Sequence, residues 1–344
     1  MPAPLSLLLL SLGGCGPGPV ANGPGDSEID QAVLDVMQRD NIPGAAVCVL
    51  TDGELDWCQG YGWAHVAQQR EATPDTPFLM ASASKLVTGE AARATLSAEG
   101  VVDVGFTVGH PVEADITHQM LATHTSGIAD NWDVLDGYYT DGDSPLALGE
   151  FLERYLDPDG RDYDDWNNFG APPGQEYQYS NVGNALLGYA VEVEVQEDFA
   201  DWCDREIFDS LGMENTGWHL SDLDEDTLAM PYTGLFGDQE AGYYGFPDYP
   251  NGGLRSSATD MALFLEAHAE DPHEELAPSL EEGQGWVWYS WDLEGHTVWG
   301  HNGGEVGVST EVGLLDDGRG FVVLLNSEGG RNTLADIEAA ILEL

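Results

Sequence analysis

The chain has 344 residues, and at about 150 residues per domain that allows two domains or one large one. Its 62 acidic residues against 10 basic ones give a formal charge of −52. A field of that sign repels phosphate backbones and anionic headgroups, which excludes nucleic-acid and polybasic membrane-binding roles. The composition is not that of a disordered chain: 42% hydrophobic residues, ten Trp and thirteen Tyr supply a sizeable core. Nine of the ten basic residues are Arg, and the tenth, Lys85, is the only lysine, a survivor that either chemistry or chance would leave.

Residues 5–12 form an apolar run of signal-sequence length, well short of the ~20 residues of a spanning helix. Leu12-Gly13-Gly14-Cys15 follows and resembles the lipobox of bacterial lipoproteins, although no Lys or Arg precedes the run. The expectation is a signal peptide over 1–14, lipidation at Cys15 and a Gly- and Pro-rich tether over 15–26. The protein would then be exported to a bacterial cell envelope, periplasmic or anchored in the outer membrane through that lipid alone. Export permits disulfides. Cys48 and Cys58 flank Asp52-Gly53, a hairpin signal, and a three-residue loop would set them opposite each other; a one-residue change of register would separate them. Cys203 reads as a buried thiol, and no cysteine spacing is that of a zinc site.

Apolar spacing predicts a helix over 27–40, then a hairpin over 44–50 and 55–62. An Ala-rich helix over 86–100 starts near Ser82. Residues 101–278 mix short helices with Gly-, Asp- and Tyr-rich loops; helices are expected over 182–195, 198–211 and, after a capping Ser-Ser pair, 257–270. Strands follow over 285–292, 296–301, 308–316 and 320–326, and a last helix over 333–344. This order predicts an α/β fold of the α+β type. One antiparallel sheet is built from both ends of the chain (27–80 and 285–344), flanked by helices, with a large, mostly helical insertion over 81–284.

Three short stretches could carry chemistry. Ser82-Ala83-Ser84-Lys85 opens a helix and puts a hydroxyl and an amine on one face, where helix N–H groups and the dipole favour a developing oxyanion. The amine must be neutral to act as a base, so Lys85 needs a lowered pKa; otherwise the pair is an N-cap serine and a surface lysine. Tyr179-Ser180-Asn181 offers a proton relay and an amide, or simply a helix cap. His301-Asn302-Gly303-Gly304, at a predicted strand end, lets a substrate approach the backbone, or is a structural turn.

Together, with spacings of 97 and 122 residues between Ser82, Tyr179 and His301, these stretches resemble the serine β-lactamase and penicillin-recognising family in its class C-like branch. Leu121-Ala122-Thr123-His124-Thr125-Ser126-Gly127-Ile128, residues 211–216, residues 252–257 and residues 322–326 resemble it too. The resemblance implies a β-lactamase/transpeptidase-like fold and an acyl-enzyme on Ser82, with Lys85 as base and Tyr179 sharing proton transfers. It makes Asn181 a holder of the substrate amide and puts the oxyanion between the N–H groups of Ser82 and Gly304, with Gly303 and His301 at the substrate's side. It implies no cofactor and no metal. Where class C β-lactamases carry Lys-Thr-Gly, this chain has His301-Asn302-Gly303, which looks like the D-alanyl-D-alanine carboxypeptidases, D-aminopeptidases and esterases of the family. The expected substrate is therefore a D-amino-acid peptide amide, as in peptidoglycan, or a small ester. A true β-lactamase and a non-turnover penicillin-recognising sensor are the alternatives. The resemblance puts Arg331 near where family members hold a substrate carboxylate, the other reading being a solvated Arg; a monomer is expected, and the acidic loop 157–162 lacks the glutamate of a calcium loop.

Overall fold

The computed structural model describes residues 21–22, 28–234, 236–269, 283–330 and 332–343. The signal segment, Cys15, nearly all of the tether, and Arg331 lie outside the described residues. Seven strands form one sheet: β1 (Gly44–Thr51), β2 (Glu54–His65), β3 (Arg70–Glu71), β4 (Tyr289–Leu293), β5 (His296–Glu305), β6 (Val308–Leu315) and β7 (Gly320–Leu325). Their order is β4-β5-β6-β7-β1-β2-β3, every neighbour antiparallel, so β1 and β7 join the two ends of the chain in the middle of the sheet. The antiparallel sheet expected from both termini is present.

Central strand β1 is buried on both faces, and its alternation sorts the side chains. Ala45, Val47 and Val49 meet helices α1 (Glu28–Asp40) and α6 (Thr333–Leu342) through Ile29, Val33, Met37, Ile337 and Ile341. Ala46, Cys48 and Leu50 face the larger core, shared with α2 (Lys85–Thr95), α3 (Leu148–Leu156), α4 (Asn181–Val195) and α5 (Ala258–Ala269). Arg39 bridges α1 to Asp336 of α6 from a half-exposed position. Such surface pairs contribute about 0–1 kcal/mol, whereas each fully buried aliphatic side chain contributes about 1.5–3 kcal/mol. The apolar seam therefore holds this helix pair.

The hairpin differs from the three-residue loop expected. Asp52 and Gly53 form a two-residue turn, both at positive φ, and a bulge after Val49 supplies the extra residue instead. The result still pairs Cys48 with Cys58, and the two form a disulfide with Cα atoms 4.1 Å apart. Cys203 is a buried free thiol.

Apart from strand β5, three predicted elements changed. Residues 285–288 are not strand: Trp286 donates its indole N–H to Gly89 O (2.8 Å) and Val287 N bonds Ala122 O (2.9 Å), so this apolar run packs the helical lobe. The helix after Ser82 ends at Thr95, not at 100, where Leu96 turns extended. Residues 198–211 are helical but pass through a π turn, Asp204–Phe208. Among the described residues no helix is long and apolar enough to cross a membrane.

Candidate active site

Ser82 sits on a strained turn between a strand pair and a helix. Phe78–Leu79 pairs with Arg255–Ser256, and Met80 N bonds Leu254 O (2.8 Å). Ala81 then takes φ +48°, a left-handed conformation that costs a residue with a side chain. The turn is held from the sheet side, where Thr310 Oγ1 donates to Met80 O (2.7 Å). A short 3₁₀ turn, Ala81–Ser84, leads into α2. At the second position of that turn the N–H of Ser82 has no acceptor within the helix.

Strand β5 does not stop at His301 as expected; it continues through Glu305, and the glycines are strand residues. The reason is contact with the Ser82 turn. A Cβ on Gly303 would lie 2.4 Å from Met80 O and 3.0 Å from Ser82 N, so any side chain would push the strand off the turn. Pairing of β4 with β5 ends at Gly300, leaving 301–305 as a free edge beside Ser82. Asn302 N on that edge is taken by the Tyr289 hydroxyl (3.0 Å). Strand alternation carries the N–H of Gly304 to the same edge, toward the cleft.

Lys85 is completely buried. Its Nζ lies 3.2 Å from Ser82 Oγ, 2.8 Å from Asn181 Oδ1, 2.6 Å from Asn251 O and 5.0 Å from the centre of the Tyr179 ring. Burial pulls its pKa down to about 7, against the carboxylates of Asp130, Asp248 and Glu305, which favour the charged form. The loop supplying Asn251 O is held to α2 by Thr88 Oγ1, which donates to Pro250 O (2.6 Å). Burial raises the Tyr179 phenol above its ordinary range, and the Ser82 hydroxyl works in the other direction.

Tyr179 and Asn181 are placed by the start of α4. Ser180 caps the helix by accepting from Gly183 N (2.8 Å), and Asp130 accepts from Asn181 N (2.9 Å), Val182 N (3.1 Å) and Ser180 Oγ (3.2 Å). Burial raises the pKa of Asp130, and these donors oppose it. His301 is buried, its Nδ1 2.5 Å from Asn302 O; burial and then Lys85 lower its pKa to about 3, so the ring is neutral. Seven sequence-predicted residues, Ser82, Lys85, Tyr179, Asn181, His301, Gly303 and Gly304, thus converge.

They stand at a cleft with two lobes that meet at Ser82, Tyr179 and Gly304. One lobe, about 690 Å³, carries Asp130, Asp136, Asp248 and Glu305 beside Trp132, Tyr139 and Phe246. The other, about 460 Å³, is lined by Tyr177, Gln284, Tyr289, His301 and Asn302. Among the described residues neither lobe is lined by Lys or Arg. Of the four aromatics in the Gly-rich loop over 243–249, only Phe246 lines the cleft. Tyr243 and Tyr244 bond Leu228 O and Val306 O, and Tyr249 packs on Phe199 and Trp218. In the acidic loop Asp157 accepts from Thr107 N and Asp159 N, and Asp162 takes Arg161.

Sequence reasoning missed the roles of Asp130, Asp248, Asn251 and His124. Asp248 is buried, its pKa raised to about 7 by burial and then by Asp130. With 62 acidic residues in the chain, no local signal separates these two from the rest. His124 lay inside a stretch already singled out, but its contact with Tyr179 is tertiary.

A family model described as Beta-lactamase matches residues 29–344. The chain belongs to the beta-lactamase family. Curated relatives include an unguisins hydrolase of Aspergillus campestris (strain IBT 28561), 24% identical, covering 88% of this chain and 61% of that protein. Another is a D-aminopeptidase of Gluconobacter oxydans (strain 621H), 27% identical over 63% of this chain and 40% of that protein. The chain therefore spans less than two thirds of the length of these relatives. Among solved structures, a D-alanine carboxypeptidase from Burkholderia cenocepacia superposes with a TM-score of 0.72 at 21% identity, covering 92% of this chain and 97% of the other. An octameric penicillin-binding protein homologue from Pyrococcus abyssi gives 0.74 at 22% identity, covering 92% and 76%. Family and fold agree with the resemblance read from the three motifs.

Proposed function

We propose that this beta-lactamase-family protein hydrolyses amides or esters through an acyl-enzyme on Ser82. The observation that carries the reading is Lys85, wholly buried with its Nζ 3.2 Å from Ser82 Oγ. A pKa near 7 leaves much of it neutral and able to take a proton. In this scheme Lys85 accepts the Ser82 proton as Oγ attacks the carbonyl carbon. The oxyanion develops between the N–H groups of Ser82 and Gly304. Tyr179 passes the proton to the leaving nitrogen or oxygen, the scissile bond breaks and the acyl group remains on Ser82. Water then attacks the ester, giving up its proton by the same route and returning it to Oγ. The Oδ1 of Asn181 is occupied by Lys85, which leaves its NH₂ to bind a substrate carbonyl.

The substrate is a D-amino-acid peptide amide or a small ester, and the lining of the cleft narrows it further. Four carboxylates and three aromatic faces border the larger lobe, with no Arg or Lys among the described residues there, which favours a neutral or amine-bearing group over a carboxylate. The D-aminopeptidase relative supports that preference. A D-Ala-D-Ala carboxypeptidase activity would need a carboxylate contact, for which Arg331 was the sequence candidate. Export with a lipid on Cys15 remains part of the proposal, and the Cys48–Cys58 disulfide supports an oxidising compartment.

The test offers D-alanine p-nitroanilide and a peptide ending in D-Ala-D-Ala to the protein and to Ser82→Ala. Turnover of the anilide that Ser82→Ala abolishes is the expected result. Release of D-alanine from the peptide instead would move the substrate to carboxypeptidase chemistry. A stable adduct on Ser82 without turnover would make the protein a sensor, and equal turnover by Ser82→Ala would remove the mechanism.

A further inference from the structure

Tyr179 is 37% exposed and set on the loop before α4, yet its proposed role needs the phenol held beside Ser82 and Lys85. Something must fix it. His124 is 1% exposed and touches three consecutive residues of that loop. Its backbone O accepts from Gln178 N (2.7 Å), its ring lies 4.4 Å from the Tyr179 ring at a 37° tilt, and its Nδ1 accepts from Ser180 N (3.3 Å).

We propose that His124 is a positioning residue for Tyr179, gripping residues 178–180 so that the phenol is set against Ser82 before substrate arrives. This rests on the catalytic role proposed above for Tyr179. Accepting from Ser180 N fixes the tautomer: Nδ1 carries a lone pair and Nε2 carries the proton. That Nε2 is buried and has no hydrogen-bond partner among the described residues. The ring packs tilted against Tyr179 on one side and edge-on against Tyr177 on another. The ionisable groups around it are Lys85, His301, Tyr177 and Tyr179, with Asp130 beyond Ser180. A charged imidazole would turn an N–H toward the N–H of Ser180 and stand beside Lys85, so the grip requires the neutral ring. Burial, with Lys85 and His301 nearby, keeps it neutral. The backbone of His124 is left-handed, φ +55°, which turns the ring under the loop.

The experiment is a double-mutant cycle with phenyl acetate, an ester whose leaving oxygen is helped by the proton that Tyr179 passes yet departs slowly without it, so that variants lacking the phenol stay measurable. His124→Ala removes ring and acceptor. His124→Asn keeps an acceptor for Ser180 N and tolerates positive φ, so the cycle is read on it if the alanine variant fails to fold. Each is made alone and with Tyr179→Phe. In the parent background kcat is expected to fall about tenfold to a hundredfold for His124→Ala, with KM within about threefold; His124→Asn recovers part of that loss. In the Tyr179→Phe background the same substitutions should cost less than about threefold, because the residue acts through the phenol. An equal loss in both backgrounds, or no loss in either, overturns the inference and leaves the serine mechanism standing. Absence of turnover dependent on Ser82 in the parent protein overturns both.

Discussion

The two faces of the sheet each bury an ionisable group, and they deal with it differently. On the cleft side Lys85 has three hydrogen-bond acceptors and three carboxylates around it, and burial holds it near the midpoint of its titration. On the opposite side Glu311 of β6 and Glu338 of α6 face each other, with no cation between them among the described residues. Burial, then the neighbouring carboxylate, pushes Glu311 up to about 10, so this pair holds a proton at neutral pH. A buried charge meant for proton transfer keeps its partners and stays titratable. One that merely packs is silenced by a proton.

The largest effect should come from removing titratability on the cleft side. Lys85→Arg keeps the charge but cannot deprotonate, and kcat/KM is expected to fall by about 10²–10⁴. The parent protein should show activity rising with pH through an acid limb near 7, the pKa of Lys85. An active Lys85→Arg variant with the same limb would place the base elsewhere. On stability the two faces should pull in opposite directions. Lys85 has a lowered folded pKa, so the unfolded chain binds its proton more tightly and stability rises between pH 7 and 10.5. Glu311 has a raised one, so its contribution is complete below pH 4.5 and is lost as pH climbs to about 10. Glu311→Gln replaces the shared proton with a permanent donor. Its Tm should exceed the parent's by about 2–4 °C at high pH, with a smaller gain near pH 6. A gain independent of pH would mean that the pair does not titrate in this window. The smallest and least local effect is that of salt: screening a net charge of −52 should raise Tm between low and high ionic strength. A flat or falling Tm would mean that self-repulsion does not limit stability.

Much of this was legible before any coordinates. Strands with β-branched runs and clear turns, such as β1, β6 and β7, were found within a residue or two because periodicity and burial agree there. The run 285–288 misled because a short apolar stretch serves a strand or a helix contact equally well. Gly303 and Gly304 looked like a loop because glycine reports freedom, whereas Gly303 is needed for the close approach of two backbones. In the cluster, Ser82, Lys85, Tyr179 and His301 were visible through spacing. Asp130, Asp248 and His124 were not, since each acts through a contact more than 50 residues away in sequence. Local patterns carry no trace of such contacts.

The single lysine has a practical side. Apart from a terminal amine, Lys85 is the only amine an acylating reagent can find, and it is sealed beneath Asn251 and Tyr179. A reagent reaches it only when one of those neighbours moves aside. The rate of labelling at Lys85, read by peptide mapping in the Ser82→Ala background so that no serine adduct adds the same mass, reports how often that seal opens without knowing the substrate. A ligand that settles in the cleft should lengthen the interval between openings, which turns the residue into its own reporter of occupancy.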